Sequence, residues 1–361
     1  MVLYIYVTFC IIIRYLIIMN SENKLSVAIV GGSGYSGEEL LKILLRHPGV
    51  EINAIYGQSN VGKKISEVFP SFKGRLHQMI EPYQASGISS SELFFLALPS
   101  GQAMSIVPEL LRLGKKVIDL SGDFRLRDAD AYPQYYGYTH TSHELTMHAS
   151  YSIPELHDTS VDSMLVANPG CYPTSVILPL APLLKEGAVK AHGIVINSLS
   201  GVTGAGKKAT LDMSFAEIDS SVKAYKVTDH QHTPEIEQAL GDLCGRSVSV
   251  MFTPHLIPIR RGIYTTIVAD IEDSVSENSI EKILADYYAS KYFVRLRGAQ
   301  SPEIKHVVHS NFIDIGWKVD VAKRKIVILS AMDNLIKGAA GQAVQNMNLL
   351  YGLPETTALL N

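Results

Sequence analysis

The feature that most constrains the fold is a glycine-rich stretch near the beginning of the chain. Leu25–Val30 favours β-structure and is followed by the sequence GGSGYSG (Gly31–Gly37), a helical pattern over Glu38–His47 and a second β-rich run over Val50–Tyr56. This order predicts a βαβ unit whose glycines let the backbone approach a pyrophosphate at the helix N-terminus. The alternative is a tight turn without a ligand. The residues predicted to contact a dinucleotide are Gly31, Ser33, Gly34, Tyr35, Ser36 and Gly37.

The end of the second predicted strand indicates which dinucleotide binds. No Asp or Glu follows this strand at the place where a carboxylate would bind a ribose 2′-hydroxyl. The chain instead continues with Gly57–Asn60 and soon reaches Lys63 and Lys64. Hydroxyl, amide and ammonium groups suit a 2′-phosphate. We therefore predict NADP(H) as the cofactor, with Ser59 and Lys63 among its contacts.

Two further predicted strands, Leu93–Leu98 and Lys116–Leu120, end in small or charged polar residues. Ligands bind at the carboxyl ends of strands in doubly wound sheets. Asp123 and Arg125 follow the second of these strands, where they either belong to the site or pair with each other and hold the loop. We predict that Ser100 and Gly101 contact the cofactor and that Arg125 contacts the substrate.

A lone cysteine occupies the turn between a predicted strand and a predicted helix. The apolar run Met164–Ala167 leads into the sequence NPGC, and a helical pattern follows over Thr174–Lys185. Exposed backbone N–H groups and the helix dipole favour the thiolate, which is the nucleophilic form of cysteine. Cys171 is therefore a candidate nucleophile, and the alternative is a small buried hydrophobic residue.

The chain after Cys171 contains longer strands and one clear helix, Ser276–Ser290, which predicts a second, α+β domain. A glycine-rich loop follows one of its strands. Its backbone N–H groups and lysine suit a phosphate or carboxylate, although a flexible hairpin loop is the alternative. The residues predicted to bind the substrate in this loop are Ser200, Gly201 and Lys207.

Two histidines precede another predicted helix, with Thr233 expected as its N-cap and Pro234 as its first residue. A histidine near its ordinary pKa exchanges protons at neutral pH, so His230 and His232 are candidate acid–base residues. The alternative is that they only shape the loop before the helix. No further Cys or His partners lie nearby, so we expect no metal.

Composition narrows the possible functions. A length of 361 residues predicts about two domains, and a net charge of −3 gives no basic excess for a nucleic acid. The three cysteines show neither metal-ligand spacing nor an even disulfide framework, which suits a reducing compartment. We expect a cytoplasmic protein.

The apolar segment 1–21 is the anomaly of this chain. It is short for a membrane span and lacks a basic flank and a small-residue cleavage site. A marginal membrane anchor, an uncleaved signal-like segment and translation from an early start are the three interpretations. We favour the third, with Met19 as the working start, and expect no membrane association.

A nicotinamide fold, a turn-presented cysteine, a histidine base and cationic loops together suit an acyl-transferring dehydrogenase. The chain from about Lys24 to the C-terminus resembles the N-acetyl-γ-glutamyl-phosphate reductases of arginine biosynthesis. The resemblance is carried in order by GGSGYSG, LSGDFRL, ANPGCYPT, SGVTGAGKKA, HQHTPEIEQ, HLIPIRRGIYTT and DNLIKGAAGQAVQNMNLL.

The resemblance implies an α/β protein with a Rossmann domain and an α+β catalytic and dimerisation domain of the glyceraldehyde-3-phosphate dehydrogenase-like type. We predict the Rossmann domain over 22–170, completed by a C-terminal helix over 334–361, and the second domain over 171–333. The extended sheet of the second domain favours a homodimer or homotetramer.

The resemblance also implies roles for individual residues. Cys171 would be the nucleophile, and the base would be His230 or His232, of which we favour His230. Asn334, with Lys337 and Gly338, would lie on the nicotinamide side of the cofactor. Arg260 would contact a substrate anion, and the substrate would be an acyl phosphate reduced with NADPH.

Two kinds of alternative function are open at this stage. A related acyl-phosphate reductase would act on aspartyl phosphate or on a carrier-bound aminoadipyl phosphate, because the residues that set side-chain length are not identified. A non-catalytic dinucleotide sensor would keep the fold and lose the reaction. The intact Cys171 and both histidines argue against the sensor.

Overall fold

The computed structural model describes residues 24–84, 88, 90–157, 161–208 and 210–360, so the apolar segment predicted over 1–21 lies outside the described residues. The chain divides into two compact units. The first unit comprises the residues up to Ala129, the segment His140–Asn168 and the chain from Ala340 onward. The second unit comprises Asp130–Thr139 and Pro169–Ala339.

The strands are β1 (Leu25–Val30), β2 (Val50–Tyr56), β3 (Ile80–Glu81), β4 (Leu93–Leu96), β5 (Lys116–Asp119), β6 (Ser150–Tyr151), β7 (Leu165–Ala167), β8 (Ile194–Gly201), β9 (Lys223–Ala224), β10 (Val250–Ile257), β11 (Ile263–Asp270), β12 (Val294–Gly298), β13 (Ile313–Asp320) and β14 (Lys325–Met332). The α-helices are α1 (Tyr35–Leu44), α2 (Ile65–Val68), α3 (Ala103–Arg112), α4 (Ala131–Tyr136), α5 (Cys171–Lys185), α6 (Phe215–Ile218), α7 (His232–Cys244), α8 (Glu277–Tyr288) and α9 (Gly341–Leu350). A π-helical turn, Ile336–Ala340, precedes α9.

The first unit is built on a parallel sheet with the strand order β3-β2-β1-β4-β5-β7-β6. Strands β1 and β4 are almost wholly buried, as expected for parallel strands that are covered on both faces. The chain runs from β1 outward to β2 and returns to β4 on the other side. This reversal opens a crevice at the carboxyl ends of β1 and β4, which is where a doubly wound sheet binds ligands.

The C-terminal helix differs from its predicted form. It was expected over 334–361, whereas α9 spans Gly341–Leu350 and buries nearly every residue, including its amides. Hydrogen bonds within the first unit offset the cost of burying these amides. Asn346 Oδ1 accepts a bond from Ser152 Oγ at 2.8 Å, and Asn348 Oδ1 lies 3.0 Å from His47 Nε2.

The second unit contains a mixed sheet with the strand order β12-β13-β14-β11-β8-β10-β9. Pairs β8–β10 and β12–β13 are parallel, and the other neighbours are antiparallel. Burial alternates along β11, because its inward residues face α5 and its outward residues lie on the opposite face. The predicted helix Ser276–Ser290 is α8, which Ser276 caps through a 3.2 Å bond from Ser279 N to Ser276 Oγ.

The predicted fold class, a Rossmann-type α/β domain with an α+β domain, is confirmed by these two sheets and their helices. The short helix α4 lies between β5 and β6. No helix in the described part of the chain is long and apolar enough to cross a bilayer.

Candidate active site

The glycine-rich turn connects β1 to the N-terminus of α1. Gly31 has φ +91°, and a Cβ at this position would lie 2.2 Å from Ala97 O, just beyond β4. A Cβ on Gly37 would lie 2.4 Å from Gly31 O. Gly34 is the N-cap of α1, and no side chain bonds the helix N–H groups there. The turn therefore leaves backbone donors for a pyrophosphate, and a dinucleotide fits this cradle.

The predicted 2′-phosphate residues lie at the end of β2, beside the glycine-rich turn. Ser59 Oγ is 3.3 Å from Ser33 Oγ, so the structure brings these two predicted residues together. Lys63 Nζ donates to Asn60 Oδ1 at 3.4 Å. Ser59 and Lys63 are exposed, so a phosphate group that arrives from solvent can reach both.

The loops after β4 and β5 are joined by hydrogen bonds. The Asp123 carboxylate accepts bonds from Gly101 N at 2.6 Å and Met104 N at 3.0 Å, so it caps α3. Ser100 Oγ accepts a bond from Gly122 N at 3.2 Å. The predicted cofactor residues Ser100 and Gly101 are thus fixed at the carboxyl end of β4.

Asp119, at the end of β5, is a buried carboxyl that sequence analysis did not single out. Its oxygens accept bonds from Ser121 N at 2.9 Å and Ser121 Oγ at 2.8 Å. Burial, with the neighbouring Asp123 charge as a further cause, raises the pKa of Asp119 to about 7. Asp119 therefore titrates close to neutrality.

Arg125 is buried in the first unit. Its Nε donates to Asn168 O at 2.9 Å, and its Nη2 donates to Leu120 O at 2.8 Å. These bonds tie the loop after β5 to the end of β7. The contact of Arg125 with the substrate stays a prediction.

Cys171 is the first residue of α5, in the second unit. It is a reduced cysteine of intermediate exposure. Gly170 is the N-cap, with φ −65° and ψ 156°, and it provides no side chain to bond the helix N–H groups. A thiolate at this position is favoured by the N-terminal end of a 15-residue helix.

The π-helical turn Ile336–Ala340 lies directly against the nucleophile candidate. A Cβ on Gly338 would lie 2.7 Å from Cys171 Cβ and 3.2 Å from Cys171 Cα. Asp333 holds the beginning of this turn, since its Oδ1 accepts bonds from Leu335 N at 2.8 Å and Ile336 N at 3.0 Å. Such π-helical turns are frequent at functional sites.

The two predicted histidines lie together beside Tyr172, the residue after Cys171. The ring centroids of His230 and His232 are 4.7 Å apart, and those of Tyr172 and His230 are 5.6 Å apart. Tyr172 Oη lies 3.1 Å from Tyr225 Oη. Burial raises the pKa of Tyr225 to about 12, so this phenol stays protonated.

The predicted cap of α7 was wrong. The helix begins at His232 with Gln231 as its N-cap, and Thr233 lies inside the first turn. The His230 ring accounts for the difference, because His230 Nδ1 accepts the N–H of His232 at 3.1 Å and thereby satisfies a helix N-terminal donor.

His230 is almost fully buried, with an exposed fraction of 2%. Burial, with nearby Lys226 as a smaller cause, lowers the pKa of His230 to about 3. The ring is therefore neutral at physiological pH. In that neutral ring Nδ1 is the acceptor, so Nε2 carries the proton.

The predicted substrate loop follows β8. Ser200 is buried, and Ser200 Oγ donates to Gly201 O at 3.1 Å, whereas Lys207 is exposed. A Cβ on Gly201 would lie 2.8 Å from Arg261 N, so this strand end must be glycine. Arg260 is exposed beside it, with its backbone carbonyl accepting a bond from the loop.

Asn334 lies in the second unit and bonds two of its loops. Its Oδ1 accepts the N–H of Gly262 at 2.8 Å, and its Nδ2 donates to Thr203 Oγ1 at 3.0 Å. Lys337 and Gly338 also lie in the second unit, and the other predicted cofactor residues lie in the first. The predicted catalytic and substrate residues lie in the second unit, apart from Arg125.

Sequence analysis missed Glu235 and Asp333, two fully buried carboxyls that bond the backbone next to predicted site residues. Acidic residues inside the motifs HQHTPEIEQ and DNLIKG were the available signal. Among the described residues, no group of three or more His, Cys, Asp or Glu side chains has the arrangement needed to hold a metal ion.

Both units match known family models. Residues 26–164 match the NAD-binding domain of the semialdehyde dehydrogenases, and residues 171–334 match their dimerisation domain. Solved structures show the same fold. The match to aspartate semialdehyde dehydrogenase II from Vibrio cholerae covers 91% of this chain and 98% of that protein's chain, with TM-score 0.69 and 17% identity. The Candida albicans aspartate semialdehyde dehydrogenase with NADP has TM-score 0.69, 14% identity and the same coverage.

The fold and the two matched domains define a nicotinamide-dinucleotide-dependent oxidoreductase of the semialdehyde dehydrogenase class. An N-acetyl-γ-glutamyl-phosphate reductase from Pelotomaculum thermopropionicum is 48% identical over 336 residues, covering 92% of this chain and 97% of the relative. One from Geobacter sp. strain M21 is 45% identical over 339 residues, covering 93% and 98%. The chain belongs to the N-acetyl-γ-glutamyl-phosphate reductase family, which confirms the resemblance carried by its motifs.

Proposed function

We propose that this enzyme reduces N-acetyl-L-glutamyl 5-phosphate to N-acetyl-L-glutamate 5-semialdehyde with NADPH, releasing phosphate, in arginine biosynthesis. One observation carries the proposal. Cys171 is a reduced, partly exposed thiol at the first position of α5, in a chain that aligns with N-acetyl-γ-glutamyl-phosphate reductases over nearly their whole length. The enzyme works in the reducing cytoplasm, where such a thiol stays reduced.

The chemistry begins at Cys171. Its thiolate attacks the acyl carbon of the acyl phosphate, a thioester bond forms, and the bond from that carbon to the phosphate oxygen breaks. A bound reduced nicotinamide would supply hydride to the thioester carbon. The bond from that carbon to the Cys171 sulfur then breaks, which releases the aldehyde and returns the thiolate. The helix N-terminus beneath Cys171 supplies backbone N–H donors for the oxyanion that develops at the acyl oxygen.

The two histidines have different parts in this proposal. His230 Nδ1 is occupied by the His232 N–H, and its ring is neutral, which supports a role as a hydrogen-bond donor through Nε2. The sequence motif favours His230 as the base, but its occupied Nδ1 and low pKa argue against proton uptake by that ring, which leaves His232 for proton transfer. The His232 imidazole takes the thiol proton and gives it to the departing phosphate.

The cofactor of the proposed reaction is NADP(H) rather than NAD(H). The residues that would hold it are those of the glycine-rich turn, the uncapped N-terminus of α1 and the loop fixed by Asp123. Ser59 and Lys63 supply the hydroxyl and ammonium groups for the 2′-phosphate.

We further propose a homodimer or homotetramer that assembles through the outer face of the second sheet. A cross-strand row on that face joins Met251, Val195, Val268 and Val327. Met251 is 63% exposed and Val195 is 38% exposed. An exposed apolar row on a sheet is a typical site for a second copy of the chain.

The test is phosphate-dependent reduction of NADP with N-acetyl-glutamate semialdehyde, run beside aspartate semialdehyde and the aminoadipate analogue. We expect the highest kcat/KM with N-acetyl-glutamate semialdehyde. A preference for aspartate or aminoadipate semialdehyde would identify a related reductase instead. Absence of turnover with all three, together with tight NADP binding, would favour the non-catalytic sensor.

A further inference from the structure

The first turn of α7 contains a carboxyl group that the proposed reaction does not use. Glu235 has no exposed surface, and its Oε1 accepts a hydrogen bond from Gly170 N at 2.8 Å. Burying a carboxyl group costs free energy unless hydrogen bonds compensate for the lost water. The role of Glu235 is therefore sought at Gly170, the residue to which it is hydrogen-bonded.

Gly170 is held on both sides of its α-carbon. Its N–H is bonded to Glu235, and its carbonyl oxygen accepts bonds from Thr174 N at 3.1 Å and Thr174 Oγ1 at 3.2 Å. As a glycine, it has no side chain that packing can hold in place. The direction of the next residue, Cys171, therefore depends on these hydrogen bonds.

We propose that Glu235 is a positioning residue for Cys171, fixing the Gly170–Cys171 turn by accepting the Gly170 N–H. The inference rests on the proposed function, in which Cys171 is the nucleophile. A rotated turn would move the thiol away from the acyl carbon and from the backbone N–H groups of α5. Misplacement by about 1 Å is enough to lower a rate by ~10²-fold.

The same helix provides a matched control. Glu237 also lies on α7, and its Oε1 accepts the backbone N–H of Val250 at 2.9 Å. That bond holds Val250, the first residue of β10, which lies 79 residues after Cys171 in the sequence. Substitutions of Glu237 reproduce the loss of a carboxyl–backbone bond without touching the turn.

The experiment compares Glu235→Gln, Glu235→Asp and Glu235→Met with Glu237→Gln and Glu237→Met. Gln keeps an acceptor of the same length, Asp withdraws the carboxyl by one methylene group, and Met removes the acceptor. We expect Glu235→Met to lower kcat by ~10²-fold and Glu235→Asp by at least ~10-fold. Glu235→Gln and both Glu237 variants should stay within about threefold of the wild type, with KM for NADPH unchanged throughout.

A second measurement detects the position of the thiol without turnover. The pH dependence of Cys171 alkylation by iodoacetamide, followed on the Cys171 peptide by mass spectrometry, reports the thiol pKa. We expect Glu235→Asp to raise this pKa, because the relaxed turn weakens the N–H contacts that favour the thiolate. A role limited to fold stability would leave the pKa unchanged. If Glu235→Met does not fold, the Gln and Asp variants decide.

The outcomes separate this inference from the proposed function. Wild-type kcat and thiol pKa in Glu235→Asp would overturn the positioning role, even if Cys171→Ala is inactive. Retained turnover in Cys171→Ala would overturn the nucleophile itself. An equal loss of kcat in Glu237→Met would mean that any lost carboxyl on α7 has this effect, which would also overturn the inference.

Discussion

Gly338 and Cys171 are in such close contact that a single methyl group does not fit between them. A Cβ on Gly338 would lie 2.7 Å from Cys171 Cβ, a separation that real Cβ contacts do not reach without a shift, and 3.2 Å from Cys171 Cα. The π-helical turn therefore packs directly against Cys171, and position 338 must be glycine because a larger residue does not fit there.

Gly338→Ala should displace Cys171 and lower kcat by ~10²-fold, since small shifts of a nucleophile have effects of this size. The measurement is steady-state kinetics with N-acetyl-glutamate semialdehyde, phosphate and NADP. Gly241→Ala, in α7, is the control, because a Cβ at position 241 would meet only the backbone oxygen of Arg246, at 3.2 Å. Wild-type kcat in Gly338→Ala would show that the turn yields without moving the thiol.

Cys171→Ala should abolish turnover and leave NADPH binding intact, because most of the predicted NADPH-binding residues lie in the first unit. Fluorescence titration with NADPH checks the binding, and the reductase assay checks the turnover. Cys244→Ser, which removes a partly buried thiol at the end of α7, should retain full activity. Loss of NADPH binding in Cys171→Ala would contradict the assigned role.

His232→Asn should lower kcat by ~10²–10⁴-fold, the usual loss for a general acid–base residue. His230→Asn should have a smaller effect, since an amide oxygen can accept the His232 N–H in place of Nδ1. The pH–rate profiles of both variants are the measurement. If His230→Asn is the more damaged enzyme, proton transfer belongs to His230.

Lys63→Ala should raise KM for NADPH by ~10-fold and leave KM for NADH nearly unchanged, because only NADPH carries the 2′-phosphate. Lys73→Ala, an exposed lysine after the turn Pro70–Phe72, is the matched control. The ratio of kcat/KM for the two cofactors is the measurement. An unchanged ratio in Lys63→Ala would place the 2′-phosphate elsewhere.

The pH dependence of stability should contain two opposing contributions. His230 has a pKa lowered to about 3, so its contribution is present above pH ~6.5 and is lost as pH falls toward 3. Asp119 has a pKa raised to about 7, so its contribution is present below pH ~3.8 and is lost as pH rises through 7. The two therefore partly cancel between these limits.

Single substitutions should reveal how much each group contributes to the slope of the unfolding free energy against pH. His230→Asn should make the free energy of unfolding rise less with pH between 4.5 and 6.5, by up to ~1.4 kcal/mol per pH unit. Asp119→Asn should make it rise more over the same range. Urea unfolding at closely spaced pH values is the measurement. His47 and His140, whose pKa values burial also lowers, act in the direction of His230 in every variant.

The parts of this molecule that could be predicted from sequence are those set by local patterns. The strand, glycine-rich turn and helix around Gly31–Gly37 follow from neighbouring residues, and they appear as β1, the turn and α1. The two-domain fold class follows from the change in pattern after Cys171. Local propensity and hydrophobic periodicity are sufficient for both.

The parts that could not be predicted depend on contacts between distant residues. Glu235 bonds Gly170, which is 65 residues earlier in the chain. Thr233 is a good capping residue by type, but the His230 ring occupies the capping role and moves the start of α7 to His232. The amides of α9 look like a polar helix face until their partners Ser152 and His47 are known.

The buried amides of α9 have a consequence for how the protein is made. The first unit is discontinuous, and its last helix leaves the ribosome after the whole second unit. Until then, Ser152, Asn168 and His47 lack the hydrogen bonds that Asn346 and Asn348 provide. The nucleotide-binding sheet therefore cannot reach its final stability until α9 has been translated, so the first unit is completed only after the second unit has been made.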